Sequence, residues 1–194
     1  MLASTWSVAL VGVEGRMVQV EADIGGGLPK TILVGLPDAA LYQSRDRCKA
    51  AVSNSGHTWP VALLTINLSP ATLPKAGSHY DLAIAAAVLA ASGVVPLDAL
   101  SRTALLGELG LDGRLRPVPG VLPATLAAVR AGFTRVVVPL RQATEASLVD
   151  GVDVLGLASL SQLVAELRGD PVPLVDPVEL TVTASADDRL GALD

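Results

Sequence analysis

Aromatic residues, charged residues and cysteine are all scarce in this sequence. Only 3% of its 194 residues are aromatic and 17% are charged, whereas 51% are hydrophobic. The single Cys48 excludes an intramolecular disulfide. The first twelve residues lack the basic stretch that precedes the apolar part of a secretory signal. These absences predict a cytoplasmic protein with an aliphatic core.

Long apolar runs and an excess of basic residues are missing as well. The longest apolar candidate, 82–95, is interrupted by Ser92 and Gly93 and falls short of the roughly 18 residues needed to cross a bilayer. The formal net charge is -5 and the isoelectric point is about 5.0, so the chain lacks the basic footprint of an autonomous nucleic-acid binder. We expect no membrane partner and no independent DNA-binding domain.

Motifs for nucleotide and metal binding are not found either. Neither G-x-x-x-x-G-K-[ST] nor G-x-G-x-x-G occurs, and the three glycines at 25–27 predict a tight turn. The two histidines, one cysteine and scattered carboxylates have no ligand spacing. We therefore expect no cofactor and no metal in this chain.

Hydrophobic periodicity predicts an α/β domain. Alternating or continuous apolar runs predict strands at 4–13, 16–24, 31–34, 61–68, 103–109, 114–118, 135–138 and 152–155. Helical periodicity predicts helices at 38–56, 82–91, 121–131, 143–149 and from Ser159 to about Gly169. Asp38 and Asp81 are the predicted caps of the first two helices, and the apolar helix 82–91 is the predicted centre of the core.

The domain is predicted to end near Gly169. Residues 170–194 carry Pro171, Pro173 and Pro177 among Val, Leu and acidic residues. This composition is typical of an extended linker. We therefore predict a folded domain over 1–169 and a linker over 170–194.

A small basic cluster occupies the first predicted helix. Arg45, Arg47 and Lys49 lie within five residues, and Arg45 and Lys49 are one turn apart. Together with Lys75 they are a candidate interaction surface. A solvated or interdomain face is the favoured interpretation, and contact with nucleic acid or an acidic neighbour is the alternative.

The loop at 74–81, which we call the site loop, contains Lys75 and Ser78 between a buried strand and the core helix. A serine nucleophile can be activated by a lysine that burial has stripped of its proton. The sequence does not show that Lys75 and Ser78 meet.

Several blocks resemble, in order, the signatures of the ComM/YifB magnesium-chelatase-like (ChlI-related) family. They are 35–38 (GLPD), 51–56 (AVSNSG), 67–71 (NLSPA), 74–78 (PKAGS), 107–113 (GELGLDG) and 120–124 (GVLPA). The resemblance runs from about Trp6 to Gly169. It implies an α/β (α+β) domain of the Lon-protease C-terminal type, with a ribosomal-protein-S5-domain-2-like fold.

The family also implies a function for a longer protein. Members of the family that this chain resembles form ring-shaped, ATP-driven AAA+ motors. ComM proteins among them are helicases that promote DNA branch migration during natural transformation. The resemblance implies an AAA+ module after this domain, with ATP and Mg bound there. The implied partners are that module, further copies in a hexameric ring, and DNA bound by the full-length protein.

The resemblance to active Lon peptidases fails at both catalytic positions. Aligning their nucleophile block with Lys75 and Gly77 puts His79 at the serine position, and their catalytic lysine falls on Leu122. The nearest basic residues, Arg116 and Arg130, cannot act as a base because a guanidinium keeps its proton. The resemblance therefore implies a non-catalytic domain, a pseudo-protease.

Two alternatives stay open from the sequence. A one-residue shift would put Ser78 at the nucleophile position of a Ser-Lys peptidase. Small-molecule kinases of the GHMP type share the implied fold, and their phosphate loop would correspond to 74–80, although this stretch is poor in glycine.

Overall fold

A long β-hairpin forms the middle of the central sheet in the computed structural model, which describes residues 1–176. Strand β1 (Leu2–Val11) pairs antiparallel with β2 (Glu14–Gly25). The turn is at 12–13, two residues before the position that the sequence suggested, because Gly12 adopts the positive φ of 64° that a two-residue turn needs. Gly15 serves packing instead, since a Cβ there would lie 2.4 Å from Ala127 Cβ.

The other described strands are β3 (Lys30–Val34), β4 (Leu63–Ser69), β5 (Thr103–Leu105), β6 (Glu108–Leu109), β7 (Leu115–Arg116), β8 (Arg135–Pro139) and β9 (Asp153–Leu157). Five of them join the hairpin in one mixed sheet of seven strands, in the order β3-β4-β2-β1-β5-β8-β9. Only the β1–β2 and β2–β4 pairs of this sheet are antiparallel, and β6–β7 is a separate small hairpin. The predicted α/β class is confirmed.

Helices pack on both faces of the central sheet. They are α1 (Ala39–Tyr42), α2 (Ser44–Asn54), α3 (Asp81–Ala91), α4 (Val121–Arg130), α5 (Ala143–Ala146) and α6 (Leu160–Arg168). All eleven residues of α3 are buried, as the sequence predicted for the core helix. Along β1, Ala9 belongs to the apolar cluster around α3, while Val8 belongs to the cluster around α4. Because neighbouring strand residues point to opposite faces, α3 and α4 lie on opposite sides of the hairpin.

Two predicted elements are divided in the structure. The predicted helix 38–56 becomes α1 and α2, with Gln43 between them, and Asp38 caps α1 by accepting a hydrogen bond of 2.7 Å from Leu41 N. The predicted strand 103–109 becomes β5 and β6. It divides because Gly107 N turns away from the sheet and donates to His79 O in the site loop.

The last described helix ends as predicted. Ser159 Oγ accepts a hydrogen bond from Gln162 N, and Gly169 closes α6 with a φ of 71°. Residues 171–176 form neither helix nor strand, and the rest of the predicted linker, 177–194, lies outside the described residues. Within 1–176, no helix has the length and apolar character that crossing a membrane requires.

Candidate functional site

The site loop pairs with the loop that joins β3 to α1. Lys75 N donates to Leu36 O (3.3 Å) and Asp38 N donates to Lys75 O (3.0 Å), which makes a short parallel bridge. Gly77 N donates to the Asp38 carboxylate (3.2 Å). Two of the blocks recognised in the sequence, 35–38 and 74–78, are therefore two sides of one local structure.

Lys75 is an internal residue that joins two loops. Its side chain is 1% exposed, and Nζ donates to Gly35 O (2.6 Å) and to Pro70 O. Burial lowers the pKa of this amine. Both contacts are with backbone carbonyls, so the amine acts as a clamp between the loops after β3 and β4.

Ser78 is bonded to a carboxylate and not to Lys75. Its Oγ donates to Glu108 Oε2, and Glu108 Oε1 lies 3.9 Å from Arg116 Nη1. A hydroxyl next to a carboxylate and an arginine has no neutral amine to take its proton. The structure does not bring together the Ser-Lys pair that the sequence left open.

His79 is turned into the protein towards the end of β1. Its Nε2 lies 2.7 Å from Val8 O, and a carbonyl can only accept, so Nε2 carries the proton. Burial lowers the pKa of this imidazole, and the contact with Val8 O only partly opposes that effect. His79 therefore presents a neutral ring whose N–H is held by the backbone of β1.

Asp81 forms the most buried ion pair of the site. Its carboxylate is 0% exposed and accepts from Arg47 Nε (2.7 Å), Arg47 Nη2 (3.1 Å) and Leu109 N (3.1 Å). Burial raises the pKa of this carboxyl, and the bonds to Arg47 counteract the rise. Asp81 therefore does not cap α3 with its side chain. It joins α2 and β6 to the start of α3.

Tyr80 next to it is fully buried, and its hydroxyl is the one buried side-chain polar atom without a hydrogen-bond partner among residues 1–176. Burial raises the pKa of the phenol strongly, and the nearby Asp38 carboxylate adds to the rise. The ring stacks against His79 at 4.0 Å between centroids.

Leu122 lies on α4 and is 37% exposed. The residue before α4, Gly120, packs on β1, because a Cβ there would lie 2.1 Å from Leu10 Cδ1. His79 contacts β1 through Val8, and the start of α4 contacts it through Leu10. At the two positions that the resemblance aligns with the peptidase dyad, the chain carries a histidine and a leucine instead of a serine and a lysine.

The four basic residues of the candidate interaction surface do not share one exposed face. Arg45 pairs with Asp46 (3.2 Å) and lies over the Tyr42 ring, and Lys49 is exposed. Arg47 is committed to Asp81, and Lys75 is internal. Of the four, Arg45 and Lys49 remain available to a partner.

Sequence reasoning missed the acidic residues that organise the site. Asp38 was assigned only as a cap, and Glu108 was given no role, although both bond to the site loop. Their distance of 30 residues or more from the loop gave no local signal. Among residues 1–176, no three His, Cys, Asp or Glu side chains are placed to hold a metal ion.

The chain is similar in sequence to several known proteins. The family model described as "Subunit ChlI of Mg-chelatase" matches residues 20–142. An uncharacterised protein of Mycobacterium tuberculosis (strain H37Rv) is 60% identical over 87% of this chain and 33% of its own. YifB of Escherichia coli is 40% identical over 83% of this chain and 32% of its own. Competence protein ComM of Haemophilus influenzae is 35% identical over the whole chain and 38% of its own.

A more distant similarity concerns the fold. Lon protease 2 of Bacillus subtilis is 25% identical over 58% of this chain and 20% of its own. With the mixed, mainly parallel sheet, this similarity agrees with the predicted fold of the Lon-protease and ribosomal-protein-S5-domain-2-like type. The chain spans about a third of the length of the curated relatives it matches.

Proposed function

Because the chain belongs to the ChlI family of the magnesium chelatases, with YifB and ComM among its relatives, we propose that residues 1–169 are a non-catalytic domain of a ComM/YifB-type motor. In this proposal the domain serves assembly, gating or DNA engagement, and 170–194 lead to an AAA+ module that binds ATP and Mg. The complete protein is a cytoplasmic, hexameric DNA branch-migration helicase, with that module, its own copies and DNA as partners.

The observation that carries the proposal is that the polar groups of the site loop are engaged within the protein. Lys75 binds two backbone carbonyls, Ser78 binds Glu108, and His79 binds Val8 O. A catalytic pair needs a base within hydrogen-bond reach of its nucleophile. In this loop the same atoms hold neighbouring segments together, which supports a scaffold without its own chemistry.

The experiment compares the longer protein with a version that lacks residues 1–169. We expect the deletion to abolish ring assembly, measured by light scattering, or DNA unwinding, measured on a branched substrate, while ATP binding by the AAA+ module persists. If assembly, ATPase and unwinding all survive the deletion, the proposal is wrong.

The basic residues Arg45 and Lys49 separate DNA engagement from ring assembly. Arg45→Glu combined with Lys49→Glu leaves the internal contacts of Arg47 and Lys75 in place. If the domain engages DNA through this helix, the double variant keeps its ring and loses DNA affinity. If the domain only assembles the ring, DNA affinity stays unchanged.

The peptidase and kinase alternatives have direct tests. A serine-directed probe that labels the protein, with labelling lost in Ser78→Ala, would support a peptidase. A nucleotide that binds residues 1–194 in a calorimetric titration would support a GHMP-type kinase. Geometry favours neither, because the Gly77 amide that would bind a phosphate already donates to the anionic Asp38.

A further inference from the structure

The segment that follows α6 is attached to the domain at several points. Asp170 N donates to Ala165 O (2.9 Å), and the Asp170 carboxylate pairs with Arg168 (3.0 Å). Further along, Gln162 Nε2 donates to Pro173 O (2.8 Å). The first residues of the predicted linker therefore run along the domain surface.

The segment then reaches a cleft of about 500 Å³ at the ends of β7 and β8. Arginine side chains line the cleft, together with a wall of prolines and leucines, and Val175 and Asp176 of the segment itself form part of the lining. The arginines are Arg114, Arg116 and Arg141.

The cleft is rich in positive charge, whereas the chain as a whole is acidic. The protein carries a formal net charge of -5, yet three arginines meet here. Arg114 lies 3.6 Å from Asp112, and Arg116 lies 3.9 Å from Glu108, so both have loose partners. Within the described chain, Arg141 has no carboxylate within 4.0 Å. Positive potential therefore remains at the cleft, and an acidic ligand suits it.

We propose that this cleft is the docking site of the chain's own exit segment, residues 173–176. Val175 and Asp176 line the cleft beside its prolines, leucines and arginines, so the segment supplies one apolar and one acidic side chain there. A free phosphate would use the arginines but not the apolar wall, which favours a peptide that carries both kinds of group.

The sequence of the segment suits docking. Pro171 and Pro173 restrict the backbone to extended conformations, so the segment loses little conformational freedom when it binds. Residues 170–176 contain two aspartates and no lysine or arginine. In the motor that we propose above, a docked segment fixes the direction in which the chain leaves the domain. This consequence rests on the proposed function, whereas the docking itself does not.

Paramagnetic relaxation in the 194-residue protein tests the docking. Leu174 is 99% exposed, so Leu174→Cys can carry a nitroxide label without disturbing a contact, and Cys48 is fully buried. We expect the label to broaden the amide signals of Leu115 and Leu140, which line the cleft. Arg114→Glu, Arg116→Glu and Arg141→Glu together should reduce this broadening by about threefold or more, because reversed charges repel the segment.

A matched control carries the same change in net charge away from the cleft. Arg16→Glu, Arg45→Glu and Arg130→Glu together should leave the broadening unchanged. Val175→Asn, which alters only the segment, should weaken the broadening without touching the domain.

Three outcomes would overturn the proposal. They are absence of broadening at Leu115 and Leu140 in the parent protein, an equal loss in both triple variants, and no effect of Val175→Asn. Mixing nitroxide-labelled protein with unlabelled ¹⁵N protein identifies the occupant. Broadening in that mixture would show that a second copy fills the cleft, and the proposal would then be wrong.

Discussion

Lys75 is a buried amine with a lowered pKa that is not directed at a serine. Its Nζ is shielded from solvent and donates to two backbone carbonyls, while the Ser78 hydroxyl donates to Glu108. A lysine base would need its lone pair directed at the serine hydroxyl. Here the N–H groups are directed at Gly35 O and Pro70 O, and the residue acts as a clamp between the loops after β3 and β4.

The clamp predicts the result of removing the amine. Lys75→Met keeps the length of the side chain but leaves two carbonyls without a donor, so we expect the free energy of unfolding in urea to fall by about 1–3 kcal/mol. Lys49→Met is the matched control, because Lys49 is exposed and its loss should change stability by less than about 0.5 kcal/mol. Equal effects of the two substitutions would contradict the clamp.

His79 predicts a dependence of stability on pH. Its folded-state pKa lies below the ordinary value, so below about pH 6.5 the unfolded chain binds a proton more readily than the folded protein. Stability is then lost as pH falls, with a slope of at most about 1.4 kcal/mol per pH unit for one proton. Unfolding midpoints measured from pH 7 to pH 5 should show this slope.

Two variants isolate the histidine. His79→Gln keeps a donor for Val8 O and should remove the contribution, so its stability should fall less than that of the parent protein over this range. His57→Gln should leave the slope in place, because His57 lies outside the site loop. A parent slope that persists in His79→Gln would assign the effect to another group.

At the scale of elements, four of the six blocks recognised in the sequence contact one another in two pairs. The blocks 35–38 and 74–78 form the bridge at Lys75. Asn54 of the block 51–56 donates from Nδ2 to Leu111 O (2.7 Å) of the block 107–113. A Cβ on Gly113 would lie 2.4 Å from Ser55 Oγ. The sequence located each block correctly, and it could not show that they meet, because pairing across 30 to 60 residues leaves no periodic signal.

Hydrophobic periodicity predicts the elements that depend on their own sequence. It does not predict the features that depend on contacts between distant segments. Apolar spacing located the hairpin, the buried helix α3 and the capped helix α6, because each depends on its own sequence. The break after β5 and the ion pair of Asp81 with Arg47 depend on contacts between distant segments. In the site, the sequence identified the right loop but not its partners Asp38 and Glu108.

Gly35 lies so close to the backbone of β4 that no side chain fits at its position. Its φ is 109°, and a Cβ there would lie 2.1 Å from Leu68 O, which is backbone and cannot move aside. We expect Gly35→Ala to lower the unfolding free energy by more than about 2 kcal/mol, since strain and a clash add. Gly26→Ala is the control, because no atom lies within 4 Å of its added methyl and its change should be within about 1 kcal/mol. Similar midpoints for the two variants in chemical denaturation would argue against a forced contact.

At the scale of the molecule, one hairpin is shared by two apolar clusters. The cluster around α3 and the cluster around α4 each take residues from β1 and β2. Trp6 on β1 packs edge-on against Phe133 at 5.5 Å between ring centroids. Trp59 precedes β4 and donates from Nε1 to Thr31 Oγ1 (3.3 Å) on β3. The two tryptophans therefore report on different parts of one sheet.

The shared hairpin predicts a single cooperative unfolding transition. In Trp6→Phe and Trp59→Phe, the remaining tryptophan follows one region, and each fluorescence midpoint should coincide with the circular-dichroism midpoint of the same variant. Agreement within each variant is the criterion, since each substitution shifts the midpoint itself. A fluorescence transition that separates from loss of helix in either variant would show that the sheet unfolds in parts.

The position of β1 has a consequence for synthesis on the ribosome. This strand is made before the elements that it packs against: Thr5 Oγ1 donates to Ala83 O on α3, and Ser7 Oγ donates to Leu105 O on β5 (both 2.8 Å). The partner of the Thr5 hydroxyl is made 78 residues later and that of the Ser7 hydroxyl 98 residues later, and the second edge of β1 pairs only when Ala104 has been made. A nascent chain stalled before Thr103 displays an open strand edge beside an apolar face, the kind of surface that chaperones hold and aggregates recruit.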